Sequence, residues 1–250
     1  MVDDDIEIVD EDAKQKYSTD LDKSELPPMY HFYHIYCGPN YAGQENTWKE
    51  SVGTHLKAFK DFGLHEHIPT IHVGFVGGQN NIDDAKNFIA EHDIDFNVVA
   101  ESWTGFEQVT QVPLYEFAQD HDGYIFYGHT KGSFNFTDQN RAWCKSMIYF
   151  NIVRWENAIL KLKDVDAVGC YWHDFTVNQS PHIGSPHTGQ RWFAGTFWWS
   201  RLNRIRDIGH GPTMHTRWDA EVWIGQIPDI KIYDFNNMDG EFPNATITEW

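Results

Sequence analysis

Residues 124–135 read "YIFYGHTKGSFN". An apolar β-type run ends in a glycine, and a histidine, a hydroxyl, a lysine and a second glycine follow at once. A buried strand that opens into such a turn belongs in an open α/β sheet, where ligands bind outside the C-terminal ends of the strands. There the glycines let backbone approach a ligand and Lys131 supplies a point charge suited to phosphate. Taken alone, the stretch is equally well explained as a polar turn with an exposed lysine.

The same alternation extends on both sides. "YHFYHIYCG" (30–38), "PTIHVGFVGG" (69–78), "IDFNVVAES" (94–102) and "DAVGCYW" (166–172) read as strands. Between them Trp48, Val52, Leu56 and Phe59 recur at helical spacing, with Gly63 placed to stop the helix. Ile82, Ala85, Phe88 and Ile89 mark a second helix. "FEQVTQVPLYEFAQDH" (106–121) reads as a third, with Pro113 near its start, and 140–162 as one long helix with a thick apolar stripe. Strand and helix alternate to about residue 172, which predicts a mainly parallel sheet flanked by helices in a single α/β domain over 28–235. Residues 1–27 read as an acidic disordered arm, and 236–250 as a C-terminal tail. The polar, Pro/Gly-punctuated segment 173–190 reads as a long loop and a candidate lid.

Composition bounds the function. The chain has 250 residues and is 41% hydrophobic, enough for a sizeable core. Its net charge of -18 disfavours tight nucleic-acid binding. Three well-separated cysteines form no disulfide framework and fit a reducing, cytoplasmic setting. No apolar run is long enough to cross a membrane. The 14 histidines show no strong metal-ligand spacing, and Asp164 and Asp166 read as a solvated turn at the wrong sheet edge for a ligand.

Two further stretches carry candidate chemistry. In "RWFAGTFWWSRL" (191–202), Gly195 would allow close approach of a ring, with Trp198 or Trp199 as walls; core packing is the plain alternative. In "TRWDAEVWIG" (216–225), Asp219 and Glu221 stand beside Arg217. A carboxylate base with a basic neighbour competes there with a simple i, i+4 ion pair.

The ordered set "GFEQVTQVPLYEFA", "YIFYGHTKG", "WCKSMIYFNIVRW", "VGCYWH", "FAGTFWWSRL" and "RWDAEVWIG" resembles a group of bacterial and viral glycosyltransferase-like proteins. The resemblance spans about residues 29–225. It implies a GT-A-like (Rossmann-like) fold, a nucleotide-sugar donor, and a carbohydrate or other hydroxyl acceptor. Such enzymes usually carry an Asp-x-Asp motif for Mn²⁺ or Mg²⁺; here His129, Thr130 and Lys131 occupy that place, so no metal residue is assigned. The resemblance implies donor binding by Tyr36, Gly38, Glu107, His129, Thr130, Lys131 and Gly132, bordered by the Gly77-Gly78 turn. It implies an acceptor or sugar pocket at Gly195, Thr196, Trp198, Trp199 and Arg217. Glu221 is the first choice for the base and Asp219 the second. Thr196 stands where the group commonly has Asn. The rival reading is a catalytically inactive carbohydrate-binding or interaction protein on the same fold.

Overall fold

The computed structural model describes residues 18–176 and 189–236. The expected acidic arm up to residue 17, the centre of the candidate lid and the tail from 237 lie outside them.

The strands are β1 (Met29–Tyr36), β2 (Thr70–Val76), β3 (Asp95–Ser102), β4 (Tyr124–His129), β5 (Ala167–Gly169), β8 (Trp198–Arg201) and β9 (Ile232–Asp234). They form one seven-stranded sheet in the order β3-β2-β1-β4-β8-β5-β9. All pairings are parallel except those of β8, which runs antiparallel between β4 and β5. β6 (Trp172–Asp174) and β7 (Arg191–Phe193) form a separate antiparallel pair. The helices are α1 (Trp48–Asp61), α2 (Gln79–Glu91), α3 (Gln108–Asp120), α4 (Asp138–Ile148), α5 (Trp155–Leu162), α6 (Leu202–Arg206) and α7 (Trp218–Val222). The expected α/β architecture, a mainly parallel sheet flanked by helices, is the fold.

The two-residue period of the strands builds a core on each face. Tyr33, Ile35, Phe126 and Trp199 pack on one side with α1, α4 and α5. Phe32, Ile125, Tyr127 and Trp198 pack on the other with α3 and α6. Register explains the tryptophans: Phe126 pairs with Trp199 and Tyr127 with Trp198 across β4 and β8. Their rings stack at 5.1 and 5.2 Å. Both tryptophans are fully buried, so neither walls an acceptor pocket, and the plain core reading of this motif is correct.

Four other expectations change. The long helix is interrupted by a π-helical turn, Tyr149–Val153. Within that turn the Asn151 carbonyl accepts the indole N–H of Trp199 at 2.9 Å. Pro113 lies inside α3 rather than near its start. Asp166 is buried and ion-paired to Arg201 (2.6 Å) and Arg204 (3.0 Å), not solvated. The arm also ends earlier than expected. Leu21 is buried in the core, Thr19 donates twice to Glu156, and Lys23 pairs with Glu156 at 2.6 Å. Residues 18–27 therefore pack on the domain.

Candidate functional site

The turn after β4 is held rigidly by its own short side chains. The Thr130 amide donates to His34 O at 3.0 Å, and the Thr130 hydroxyl accepts the Tyr36 amide at 2.9 Å. Ser133 donates to Thr130 O, Ser51 to Lys131 O and Thr47 to Ser133 O, all within 3.0 Å. Lys131 is half-buried, with Nζ 3.9 Å from the centre of the Trp143 ring. Burial lowers its pKa, with Arg217 adding to the effect, and Glu221 and Glu107 oppose it.

The head of α3 is brought to the same place by Gly74. A Cβ there would meet Thr110 Oγ1 at 2.0 Å, so only glycine lets α3 sit so close on β2. Thr110 in turn bonds His34 Nδ1 at 2.8 Å. α3 then hooks α7, since Gln108 donates to Thr216 O and Gln111 to Ala220 O. Glu107, Arg217 and Glu221 are thereby drawn together.

These segments enclose a cavity of about 300 Å³ at the C-terminal edge of the parallel strands. Tyr36, Glu107, His129, Thr130, Lys131, Gly132 and Arg217 all line it, from the donor and acceptor sets alike. Glu221 is not among the lining residues but pairs with Arg217 at 3.4 Å, its side chain 12% exposed. Burial raises the pKa of Glu221, reinforced by Glu107 and countered by Lys131 and Arg217. A carboxylate so raised is suited to taking a proton. His129 is neutral: burial, then Lys131, push its pKa down to about 3.

The remaining expected residues do other work. Asp219 accepts from Thr213 Oγ1, from Thr216 Oγ1 and from the amides of His215 and Thr216. Burial works to raise its pKa, but these bonds outweigh that and hold it below the usual carboxylate range. Asp219 is a turn anchor, not the second-choice base. Gly38 abuts the Tyr36 ring, and Gly77 faces Cys37; neither lines the cavity. Gly195 acts through its backbone: at φ +87 it offers its carbonyl to His129 Nε2 at 2.8 Å. Its neighbour Thr196 is buried at φ +56, with no hydrogen-bond partner for its hydroxyl among the described residues.

The sequence reading missed the apolar mouth. Phe106 and Phe134 line the cavity and are each 50% exposed. Tyr41 meets Phe134 edge-on at 6.1 Å. Their signal was in "GFE" and "GSFN", next to the polar residues that drew attention. A divalent cation does not fit the donor set, because an ammonium and a guanidinium already stand among the carboxylates. Among the described residues no three His, Cys, Asp or Glu gather as metal ligands. No helix there is long and apolar enough to cross a membrane.

No curated protein matches the sequence significantly. The structure of 4-diphosphocytidyl-2C-methyl-D-erythritol synthase from Anaerococcus prevotii aligns with 82% of this chain and 88% of its own. The pair share 10% identity at a TM-score of 0.41, too loose a likeness to bear on activity or substrate. A family described as "Domain of unknown function (DUF8361)" matches residues 32–157, which carry Tyr36, Glu107 and the 129–132 turn but not Gly195, Arg217 or Glu221. That match spans just over half of the sequence, and the chain belongs to this family.

Proposed function

We propose that the protein is a glycosyltransferase that moves a sugar from a nucleotide-sugar donor to an acceptor hydroxyl. The observation that carries this reading is the convergence of Lys131 and Arg217 on one cavity at the ligand edge of the sheet, with Glu221 paired to Arg217 at 3.4 Å. A departing nucleotide diphosphate gains negative charge in the transition state. Fixed cations preorganised in a partly dry cavity stabilise that charge without reorganising. Lys131 and Arg217 take this role. Glu221, its pKa raised by burial, receives the proton of the attacking hydroxyl. Phe106 and Phe134 at the mouth give a flat acceptor an apolar surface to lie on. The buried Trp198 and Trp199 take no part in it.

The test is a panel of UDP-, GDP-, CDP- and dTDP-sugars, scored for thermal stabilisation and for donor cleavage with and without Mn²⁺. Binding to the native state raises the melting temperature by mass action. Stabilisation together with cleavage supports the transferase. Stabilisation by carbohydrates alone, with no cleavage of any donor, turns the reading to a carbohydrate-binding protein.

A further inference from the structure

Asn140, Trp143 and Met147 share one face of α4, at steps of three and four. Both glycine turns meet that face. Gly132 takes φ +86, and a Cβ there would stand 3.3 Å from the Asn140 carbonyl oxygen. A Cβ on Gly195 would collide with Met147 Sδ and reach Trp143 Cζ2 at 3.4 Å. The two glycines thus let the turn after β4 and the "AGT" step close on the helix face that carries Trp143. Tyr171 meets the Trp143 ring edge-on at 6.2 Å, and its hydroxyl shares a hydrogen bond of 2.6 Å with Ser146 of the same helix.

Lys131 Nζ stands 3.9 Å from the centre of the Trp143 ring, inside the roughly 6 Å reach of a cation–π contact. Among the described residues no carboxylate pairs with this ammonium and no acceptor takes a hydrogen bond from it. Glu221 pairs with Arg217 and Glu107 faces His129; both attract Lys131 only from farther away. A carboxylate in contact would fix the ammonium but cancel the charge that a phosphate needs. A neutral ring fixes it and leaves the charge and the N–H donors to a ligand. Without such an anchor the four-carbon stem of a lysine is flexible. Trp143 does not line the cavity, so it acts on a ligand through Lys131.

We propose that Trp143 is a positioning residue, whose indole face holds the Lys131 ammonium ready for a phosphate oxygen without neutralising it, and that Gly195 serves by giving the indole its seat. This role rests on the diphosphate reading of the cavity. It gives the face of α4 and the "AGT" step one shared task, and Gly195 itself does not line the cavity.

The test places mono-, di- and trifluorotryptophan at position 143 alone, in the full chain, by codon suppression. Fluorine drains the ring face of negative charge and changes its shape little, so folding is spared. Inorganic pyrophosphate is the probe, titrated by calorimetry. Its affinity should fall stepwise along the series, about tenfold in all. In Lys131→Met the weaker affinity that remains should stay flat, since the ring then has no cation to hold. A flat series with Lys131 present, or an equal fall with and without it, overturns the role. So does a rise, which would mean that the ring competes with the anion for the ammonium. Lysine labelled with ¹³C gives a second readout. The Lys131 ε-methylene, assigned by its absence from Lys131→Met, should lie upfield of the other lysines under the ring current of Trp143. An ordinary shift overturns the contact. Gly195→Ala should move the signal back toward the other lysines, and an unmoved signal overturns the seat. Pyrophosphate binding that follows the series while no nucleotide sugar is cleaved keeps this inference and removes the transferase reading. If pyrophosphate does not bind the wild type, the diphosphate reading and the positioning role fall together.

Discussion

At the scale of single residues, the cavity separates groups that act from groups that hold. Lys131→Ala is expected to cut turnover, raising the barrier by about 2–4 kcal/mol, the scale for one preorganised electrostatic group. Its main chain is held by Thr130, Ser133 and Ser51, so the melting temperature should stay near wild type. An unchanged rate with a reactive donor would remove Lys131 from the mechanism. Glu221→Gln and Asp219→Asn should behave oppositely. The first abolishes transfer while sparing donor binding, by about 10²–10⁴-fold in rate. The second keeps the chemistry but loosens the 213–216 turn, costing about 1–2 kcal/mol of stability by denaturant titration. The reverse pattern would return the base to Asp219. Thr196 is a third case. A β-branched residue in the left-handed region is strained, and Asn tolerates that region better. Thr196→Asn should therefore stabilise the protein by about 1 kcal/mol. A lower melting temperature would show that the Thr methyl packs too well to lose.

At the scale of elements, sequence and structure agree on element type where a period could be read, although the longest one, over 140–162, is broken at Tyr149–Val153. Strands β1 to β4 and helices α1 to α3 announce themselves by twofold and 3.6-fold patterns, and so does the turn that carries Lys131. What the pattern could not give was pairing. Nothing in "FWWSR" says that the strand runs antiparallel between β4 and β5, and that insertion is what buries both tryptophans. Nothing in "RWDAEVWIG" says that Gln108 and Gln111 will tie its backbone to α3, since hydrogen bonds between segments a hundred residues apart leave no local period. Charge misled the reading of the N-terminal segment, where ten acidic residues hid one useful leucine. Leu21→Ala should cost about 2–3 kcal/mol, the lower part of the range for a buried leucine. Removing residues 1–17 and 1–26 in parallel should then give unequal melting temperatures, the longer deletion being the less stable. Equal values would mean that Leu21 and Thr19 add nothing to the fold.

At the scale of the whole molecule, buried neutral histidines set the acid limit. Burial pushes His31 down to about 3 and His34 to about 4, and His55 lies well below its ordinary 6.5. Between those values and 6.5 the unfolded chain binds protons that the native state refuses. Stability is therefore full above pH 6.5 and is lost as pH falls toward the folded values. Each such group contributes a slope of up to about 1.4 kcal/mol per pH unit. Denaturant titrations at pH 7.5, 6 and 5 should show falling stability, whereas Asp166, with its pKa held below 3.8, enters only under stronger acid. A flat profile down to pH 5 would mean that these rings take up protons in place.

The reversed strand also fixes an order of events during synthesis. β1 to β4 are complete once His129 has emerged, but the outer edge of β4 has no neighbour until Trp198–Arg201 arrives. β5 is made in between and cannot dock, because its place in the sheet lies beyond β8. At about 5–20 residues per second the ribosome leaves that apolar edge open for several seconds. Nascent chains stalled in that window present a ready template for wrong strand pairing, and helpers that shield sheet edges would matter most there.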